Sequence, residues 1–542
     1  MTFLFTAKLL AIFLTTIWIA QSVVLSKPFE AQSDEKVFRF ANLYGNHMVL
    51  QQAPHRATVW GYGEPGQIVK ITLAPEHMMN SKTIYKTSVS KAYGSGDAGV
   101  WKVALDPQKA GGPYTVHASS VVNGSAVESL LSDVLFGDVW VCSGQSNMDF
   151  SITQTNNPKE AAAEANHYPH IRLFTAERFN STSPLYELKA IRQLWSVASS
   201  ASINGGAWKY FSAVCWFYGK NLFDRLQYPI GLISTTWGGT AIEEWSSPDS
   251  LAKCGIQSFD SSKVFHAAEE KTLGPFPNGG SGLYNGMVHP FLNISIYGVI
   301  WYQGESNSGA PQTYNCTFPA MIEDWRRKWF SGTSHDTDPE FPFGFVQLSS
   351  YTSDPTLIDG FPAIRWAQTA DQGYVPNSSM RNVFMAVAMD LGNATSPYGS
   401  IHPTDKRDVG FRLGLAGRAI AYGEPGVYHT GPLIVEVKSH ASSKDGWGVE
   451  LAYTNVGVEG LEVRQAGGFE LFCKSSSKWL PAKITESAFY TVSLQGVCPA
   501  GPGDVTAVRY AWRTDPCDFK KCAVYSKAEE LPAGPYIKYA PF

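Results

Sequence analysis

The stretch "VWVCSGQSNMDF", residues 139–150, joins an apolar run to an abrupt polar turn. Its β-branched and aromatic residues predict a buried strand that ends near Cys142. The small and polar residues of "GQSN" at 144–147 then let the backbone turn sharply. Hydrolases expose a nucleophilic serine at the end of a sheet in turns of this kind, although a simple connection has the same local pattern.

Polar motifs follow four apolar strands, of which this stretch contains the first. The four pairs are DVWVC before SGQSN, GLISTTW before GGT, GVIWYQ before GESN, and FMAVAMD before GSIHP. Ligands of open parallel sheets bind beyond the carboxyl ends of the strands. We therefore expect these motifs to converge on one site.

The pattern of apolar and polar residues changes twice along the chain. Its length of 542 residues is too great for one hydrophobic core. Short alternating runs broken by Gly, Pro and Asn predict antiparallel strands at 37–130. Strands separated by helical segments at 131–425 favour an α/β core with a parallel sheet covered on both faces. Alternating strands return at 426–542. We predict an α/β core flanked by N-terminal and C-terminal β-sandwich-like domains.

The composition is that of a well-packed globular protein, with 44% hydrophobic and 17% charged residues. The net charge of −4 provides no basic surface for nucleic acid or anionic membranes, so we expect no nucleic-acid partner. Beyond the first residues, no stretch is long and apolar enough to span a bilayer.

Three features predict entry into the secretory pathway. The apolar run from Leu9 to Ala20 fits a signal peptide at 1–26 and is short for a membrane span. The eight cysteines form an even set that suits disulfides, with Cys517 and Cys522 close enough for a local pair. Six glycosylation acceptors follow, at Asn123, Asn180, Asn293, Asn315, Asn377 and Asn393.

Ser146 is the predicted nucleophile. A helix that starts just after it would direct backbone N–H groups at a developing oxyanion. Ser143 is less suited because it lies closer to the strand and lacks a glycine two residues before it. Considered alone, Ser146 could equally be a serine that caps the next helix, which is the more common role.

The other motifs supply the remaining candidates. Gly239 permits close backbone approach and can donate its N–H to an anionic oxygen, while Gln303 and Asn307 can each donate from a side-chain amide. We expect Glu305 to be a hydrogen-bonded structural carboxylate, because burial of an unpartnered Glu is costly. His402, in a turn-forming stretch after the last core strand, is the candidate general base.

These motifs resemble the SGNH hydrolase superfamily and, more narrowly, the animal sialate O-acetylesterase family. The segments that carry the narrower resemblance are VWVCSGQSNM, GLISTTWGGTAIEEWSS, LYNGMVHP, WYQGESN, VAMDLG, SPYGSIHP with DK at 405–406, and RYAW with PC at 516–517. The resemblance covers nearly the whole chain after the expected signal peptide. It implies an SGNH-type core and a lysosomal or secreted enzyme that removes O-acetyl groups, such as the 9-O-acetyl group, from sialic acids or sialoglycans.

One position departs from the superfamily pattern, which often has an Asp three residues before the catalytic His. Gly399 occupies that position here. Another group must therefore accept the Nδ1–H of His402 and set its tautomer. Asp390, at the end of its strand, is one candidate, and a backbone carbonyl, which would leave a Ser–His dyad, is the other.

The predicted chemistry is acetyl transfer to Ser146 followed by hydrolysis, for which neither a metal nor an organic cofactor is expected. Three alternatives stay open at this point. A polysaccharide acetylesterase acting on a substrate such as acetylxylan would use identical residues. An inactive esterase fold could bind acetylated sialoglycans, and the flanking β domains could themselves be the functional part.

Overall fold

The structure is a computed structural model that describes residues 29–30, 38–77, 81–91, 99–257, 280–352, 354, 356–440 and 446–542. The signal peptide expected at 1–26 lies outside these ranges. Within them, no helix combines the length and the apolar character that crossing a bilayer requires.

The N-terminal region is built from short strands, as the alternating pattern predicts. They are β1 (Phe29–Glu30), β2 (Arg39–Phe40), β3 (Val49–Gln51), β4 (Thr58–Gly63), β5 (Ile68–Pro75), β6 (Thr83–Ser88), β7 (Ser90–Lys91), β8 (Gly99–Ala104) and β9 (Gly111–Val122). One sheet has the order β2-β4-β8-β7, whereas β3, β5, β6 and β9 form a second group that is continuous with the core sheet through the next strand. Trp60 and Trp101 are fully buried in the core of this region.

Strand β10 (Ser125–Gly144) connects this region to the core without interruption. Its first residues alternate between exposed and partly buried and pair with β9, whereas residues 134–144 are buried throughout. From Asp138 onward the strand pairs with core strands instead. The boundary expected at 130/131 therefore lies inside a continuous strand.

The core sheet places β10 at its centre. Its other strands are β11 (Ile171–Ala176), β12 (Ala190–Val197), β13 (Ile230–Thr236), β14 (Gly298–Tyr302), β15 (Phe343–Gln347) and β16 (Val383–Val387). The strand order is β1-β12-β11-β13-β10-β14-β15-β16. The neighbouring pairs from β11 to β16 are parallel, while β12 and β1 pair antiparallel at one edge. The sheet is therefore mixed rather than wholly parallel, a common arrangement in which an antiparallel strand closes an edge.

Helices cover both faces of this sheet. They are α1 (Ser146–Asp149), α2 (Pro158–Glu164), α3 (Ser200–Ile203), α4 (Ala213–Leu226), α5 (Ile242–Trp245), α6 (Pro248–Lys253), α7 (Pro311–Gly332), α8 (Phe361–Ala367) and α9 (Lys406–Ile420). Trp140 of β10 lies opposite Gly298, so Trp301, three residues further along β14, points to the other face. Tyr218 of α4 packs edge-on against Trp140, and Trp325 of α7 packs edge-on against Trp301.

The C-terminal region is again built from strands. They are β17 (Leu433–His440), β18 (Gly448–Thr454), β19 (Leu461–Val463), β20 (Phe469–Cys473), β21 (Lys478–Ala482), β22 (Ile484–Ser487), β23 (Thr491–Gln495), β24 (Val505–Tyr510), β25 (Val524–Ser526) and β26 (Tyr536–Tyr539). Two antiparallel four-stranded sheets have the orders β17-β18-β23-β22 and β21-β20-β24-β26, and β19 pairs with β25. This sandwich-like arrangement agrees with the prediction.

The eight cysteines form four disulfides, which are Cys142–Cys215, Cys254–Cys316, Cys473–Cys498 and Cys517–Cys522. The last is the local pair that the sequence suggests. The first joins the end of β10 to α4, four residues before Ser146. The set is consistent with a protein of the secretory pathway.

Candidate active site

The turn at 144–147, called the nucleophile turn after the role predicted for Ser146, lies where β10 ends and α1 begins. Gly144 has φ +136°, and a Cβ at this position would lie 2.2 Å from the carbonyl oxygen of Tyr302. Only glycine fits such a close approach between two neighbouring strands. Ser146 follows as the first residue of α1 and is buried, whereas Ser143 belongs to the strand itself.

Hydrogen bonds from this turn reach the other three motifs that the sequence singles out. They run from Trp237 N–H to Gly144 O (3.1 Å), from Gln145 N–H to Tyr302 O (3.0 Å), and from Asn147 Nδ2 to Ile401 O (2.9 Å). The Gln145 side chain also accepts the N–H of Ser306 at 3.2 Å. The four segments therefore converge at one end of the core sheet, as expected of a site at the carboxyl ends of parallel strands.

His402 lies beside the nucleophile turn. Asn147, the residue after Ser146, is bonded to the carbonyl of Ile401, the residue before His402. The Nδ1 of His402 donates to the carbonyl oxygen of Tyr398 at 2.8 Å, because a carbonyl can only accept. The neutral ring therefore carries its proton on Nδ1, and Nε2 is the basic nitrogen. Burial lowers the pKa of His402 to about 4.

The structure answers the question of the histidine's partner in favour of the backbone carbonyl. Asp390 is fully buried, but Arg412 binds both of its carboxylate oxygens at 2.6 and 2.9 Å. The hydroxyl of Tyr525 donates to the same carboxylate at 2.9 Å. Asp390 thus stabilises the packing of α9 and the C-terminal region against the end of β16.

The three candidate oxyanion donors occupy different environments. Gly239 is buried in the turn after β13 with φ +71°, a conformation that suits glycine. Gln303 donates one amide N–H to Thr240 O at 3.1 Å and the other to Asn307 Oδ1 at 2.7 Å. Asn307 donates one N–H to Glu243 at 2.9 Å and has a second. The geometry therefore favours Asn307 over Gln303 as an oxyanion donor.

A buried polar chain links the nucleophile turn to the histidine loop. Asn147 donates from Nδ2 to Glu305 at 2.7 Å and accepts at Oδ1 from Lys406 Nζ, also at 2.7 Å. Lys406 donates further to the carbonyl of Pro403 at 2.6 Å. Glu305 is hydrogen-bonded, as the sequence predicts. Burial raises the pKa of Glu305 to about 6 and lowers the pKa of Lys406 to about 7.

Sequence reasoning does not identify Asn147, Lys406 or the aromatic residues around His402 as parts of this site. Asn147 and Lys406 both stand inside motifs that carry the family resemblance, which was the available signal. Trp208 packs against the ring of His402, with ring centroids 5.0 Å apart, but it lies in a loop with no motif of its own. Only the fold brings Trp208 to the histidine.

Comparison with known proteins assigns the chain to a family. Residues 136–411 match the family described as "Carbohydrate esterase, sialic acid-specific acetylesterase", and residues 438–540 match the "Sialate O-acetylesterase C-terminal domain". The sialate O-acetylesterase of Homo sapiens is 43% identical over 93% of this chain and 92% of its own length. That of Mus musculus is 42% identical over 92% of this chain and 94% of its own. Among solved structures, a carbohydrate acetylesterase from Xanthomonas citri superposes with a TM-score of 0.71 at 28% identity, covering 92% of this chain and 99% of the other.

Proposed function

The chain belongs to the sialate O-acetylesterase family, and we propose that it removes O-acetyl groups from sialic acids with Ser146 as nucleophile and His402 as general base. The observation that carries this assignment of roles is the hydrogen bond from Asn147 to Ile401, which joins the residues adjacent to Ser146 and His402. We include in the proposal that the core is of the SGNH type and that the substrates are O-acetylated sialic acids or sialoglycans, with the 9-O-acetyl group preferred.

The reaction proceeds in two steps. Nε2 of His402 takes the proton from Ser146 Oγ as Oγ attacks the acetyl carbonyl carbon. The ester C–O bond breaks, the sugar oxygen leaves with the proton from His402, and the acetyl group stays on Ser146. A water molecule then gives a proton to His402 and attacks this acetyl group. Acetate is released and Ser146 recovers its proton.

The tetrahedral oxyanion is stabilised by the backbone N–H groups of Ser146 and Gly239 together with the amide of Asn307. These donors follow three different strands, β10, β13 and β14, so the core sheet holds them in place before substrate binds. Gln303 supports this arrangement indirectly, because one of its N–H groups donates to Asn307 Oδ1.

The histidine functions without a carboxylate partner in this proposal, so Ser146 and His402 form a dyad. The carbonyl of Tyr398 fixes the tautomer and holds the ring. Burial keeps the pKa of this base low, and the bond to the Tyr398 carbonyl raises that pKa less than a carboxylate partner would, because a carbonyl dipole stabilises an imidazolium less than a carboxylate does. A base that is neutral at acidic pH suits a lysosomal enzyme, and we propose that the protein is lysosomal or secreted.

The test is acetate release from 9-O-acetylated sialic acid by the purified protein and by Ser146→Ala. Wild type should release acetate, and Ser146→Ala should lose the activity while keeping the thermal midpoint of wild type. Ser143→Ala is the matched control and should retain the activity. Acetylxylan, tested in parallel, distinguishes a sialate O-acetylesterase from a general polysaccharide acetylesterase. Folded wild type that releases no acetate from the sialate would overturn the proposal.

A further inference from the structure

The loop before α4 holds Trp208 in an uncommon backbone conformation. Its φ is +58°, in the left-handed region that bulky side chains rarely adopt. Such conformations are costly and persist where the surroundings enforce them, often at ligand sites. The position of the Trp208 ring is therefore a specific feature of this structure that needs a physical explanation.

Two hydrogen bonds enforce this conformation from the segment that follows the nucleophile helix. The N–H of Trp208 donates to Gln154 Oε1 at 3.0 Å. The hydroxyl of Ser151 donates to the carbonyl of Gly206 at 2.9 Å. Since Ser151 lies five residues after Ser146, the loop is anchored close to the nucleophile turn.

The ring so positioned covers the general base. Trp208 packs edge-on against His402, with ring centroids 5.0 Å apart and an interplanar angle of 71°. It packs in the same way against Phe150 at 5.4 Å. His402 is only 1% exposed, whereas Trp208 is partly exposed. The Trp208 ring therefore extends from the buried base to the surface.

We infer that Trp208 is a specificity-determining residue whose ring contacts the sugar that carries the acetyl ester. The inference rests on the proposed function. A group bound at Ser146 and His402 has its acetyl end buried, so the sugar must extend toward solvent along the residues that connect His402 to the surface. An indole face there provides a large apolar surface for the C–H groups of a sugar at little cost in side-chain entropy. The acetyl group itself is held by the oxyanion donors and needs no indole.

The experiment compares two esters in wild type, Trp208→Ala and Trp208→Phe. One is 9-O-acetylated sialic acid, and the other is 4-nitrophenyl acetate, which has the same acyl group and no sugar. For Trp208→Ala we expect kcat/KM on the sialate to fall about tenfold or more, as for loss of a tryptophan that anchors a ligand, while kcat/KM on 4-nitrophenyl acetate stays within about threefold. Trp208→Phe should lose less, and it carries the test if Trp208→Ala does not fold. Tyr539→Ala, at an exposed aromatic residue of β26, is the control and should match wild type on both esters.

Equal losses on both esters would mean that Trp208 only positions His402 and would overturn the inference, as would the absence of a loss on either ester. Failure of the proposed function has a different signature, because it appears in wild type as hydrolysis of 4-nitrophenyl acetate without hydrolysis of the sialate. If wild type instead acts on acetylxylan, a loss in Trp208→Ala confined to acetylxylan still supports the contact with sugar.

Discussion

The Nδ1 of His402 donates to the carbonyl oxygen of Tyr398, four residues earlier in the chain, across 2.8 Å. The loop between them makes this bond possible. Gly399 has φ +86°, and the N–H of His402 bonds to the Gly399 carbonyl at 2.9 Å. A carboxylate at position 399 would require an Asp in a conformation that favours glycine. The backbone of the histidine loop thus supplies the hydrogen-bond acceptor for Nδ1 of His402.

Replacement of Asp390 separates a catalytic role from a structural one. In Asp390→Asn, the buried guanidinium of Arg412 loses its charged partner, so we expect the free energy of unfolding to fall by about 3–5 kcal/mol. The kcat of the folded fraction should stay within about threefold of wild type, because Asp390 does not hold His402. Thermal unfolding and kcat, measured on the same preparation, test both expectations. A loss of kcat approaching ~10⁴-fold at full folding, as for a triad aspartate, would restore Asp390 as the partner.

Much of the site could be predicted from the sequence because its signals are local. Ser146, Gly239 and His402 each stand in a short motif after an apolar strand, and parallel strands bring such motifs to one edge. The partner of His402 could not be chosen in this way. It depends on the path of the loop between Tyr398 and His402, and a backbone carbonyl has no residue type that marks it.

In the fold, too, some features follow from local sequence patterns and others do not. Regions of alternating and of continuous apolar residues correctly predict antiparallel strands on both sides of an α/β core. The expected boundary at 130/131 follows the change of sequence pattern, which falls within strand β10. Strand β10 instead changes from the N-terminal sheet to the core sheet near residues 136–138 through irregular pairing with β9. A bulged strand can change partners without any turn residues to signal it.

The activity should persist to unusually acidic pH. Only the neutral ring of His402 accepts a proton, and its pKa of about 4 lies below the ordinary value of 6.5 because burial disfavours the charged form. At pH 5 a base of pKa about 4 is roughly 90% neutral, whereas an ordinary histidine would be only about 3% neutral. We expect kcat/KM to stay near its plateau at pH 5 and to fall as the pH approaches 4.

The control for this pH profile is Glu305→Gln. The pKa of Glu305 is about 6, so its protonation could also produce an acid limb. Gln keeps an oxygen that can accept from Asn147 Nδ2 and does not titrate. The acid limb should therefore be unchanged in Glu305→Gln. A limb near pH 6 in wild type that disappears in this variant would assign the titration to Glu305 instead.

Asn307→Ala tests the third oxyanion donor that we propose. Removal of one such donor costs about 10²–10³-fold in kcat, with little effect on KM, because the bond strengthens as charge develops on the oxygen. Loss of this amide also removes the hydrogen bond that Asn307 donates to Glu243, so the thermal midpoint should be measured alongside the kinetics. Folded Asn307→Ala with the kcat of wild type would exclude Asn307 from the oxyanion hole.

Lys406→Met tests whether the buried polar chain positions Ser146 and His402, the proposed catalytic pair. Methionine keeps most of the side-chain volume but cannot donate to Asn147 and Pro403, which stand beside Ser146 and His402. A small displacement of reacting groups costs about 10²-fold, so we expect kcat to fall by about that factor while KM changes little. Lys520→Met is the matched control. Lys520 forms a partly exposed ion pair with Asp408, which lies on α9 as Lys406 does, so this substitution should change kcat little.

The pH profile distinguishes this role of Lys406 from a purely structural one. The positive charge of Lys406 contributes to the low pKa of His402, because it disfavours protonation of the nearby ring. Removal of that charge should therefore raise the pKa of His402 and move the acid limb of kcat/KM to higher pH in Lys406→Met. A loss of packing alone would lower activity without moving the limb toward neutral pH. An unshifted limb with the kcat of wild type would show that the Lys406 chain does not act on the catalytic pair.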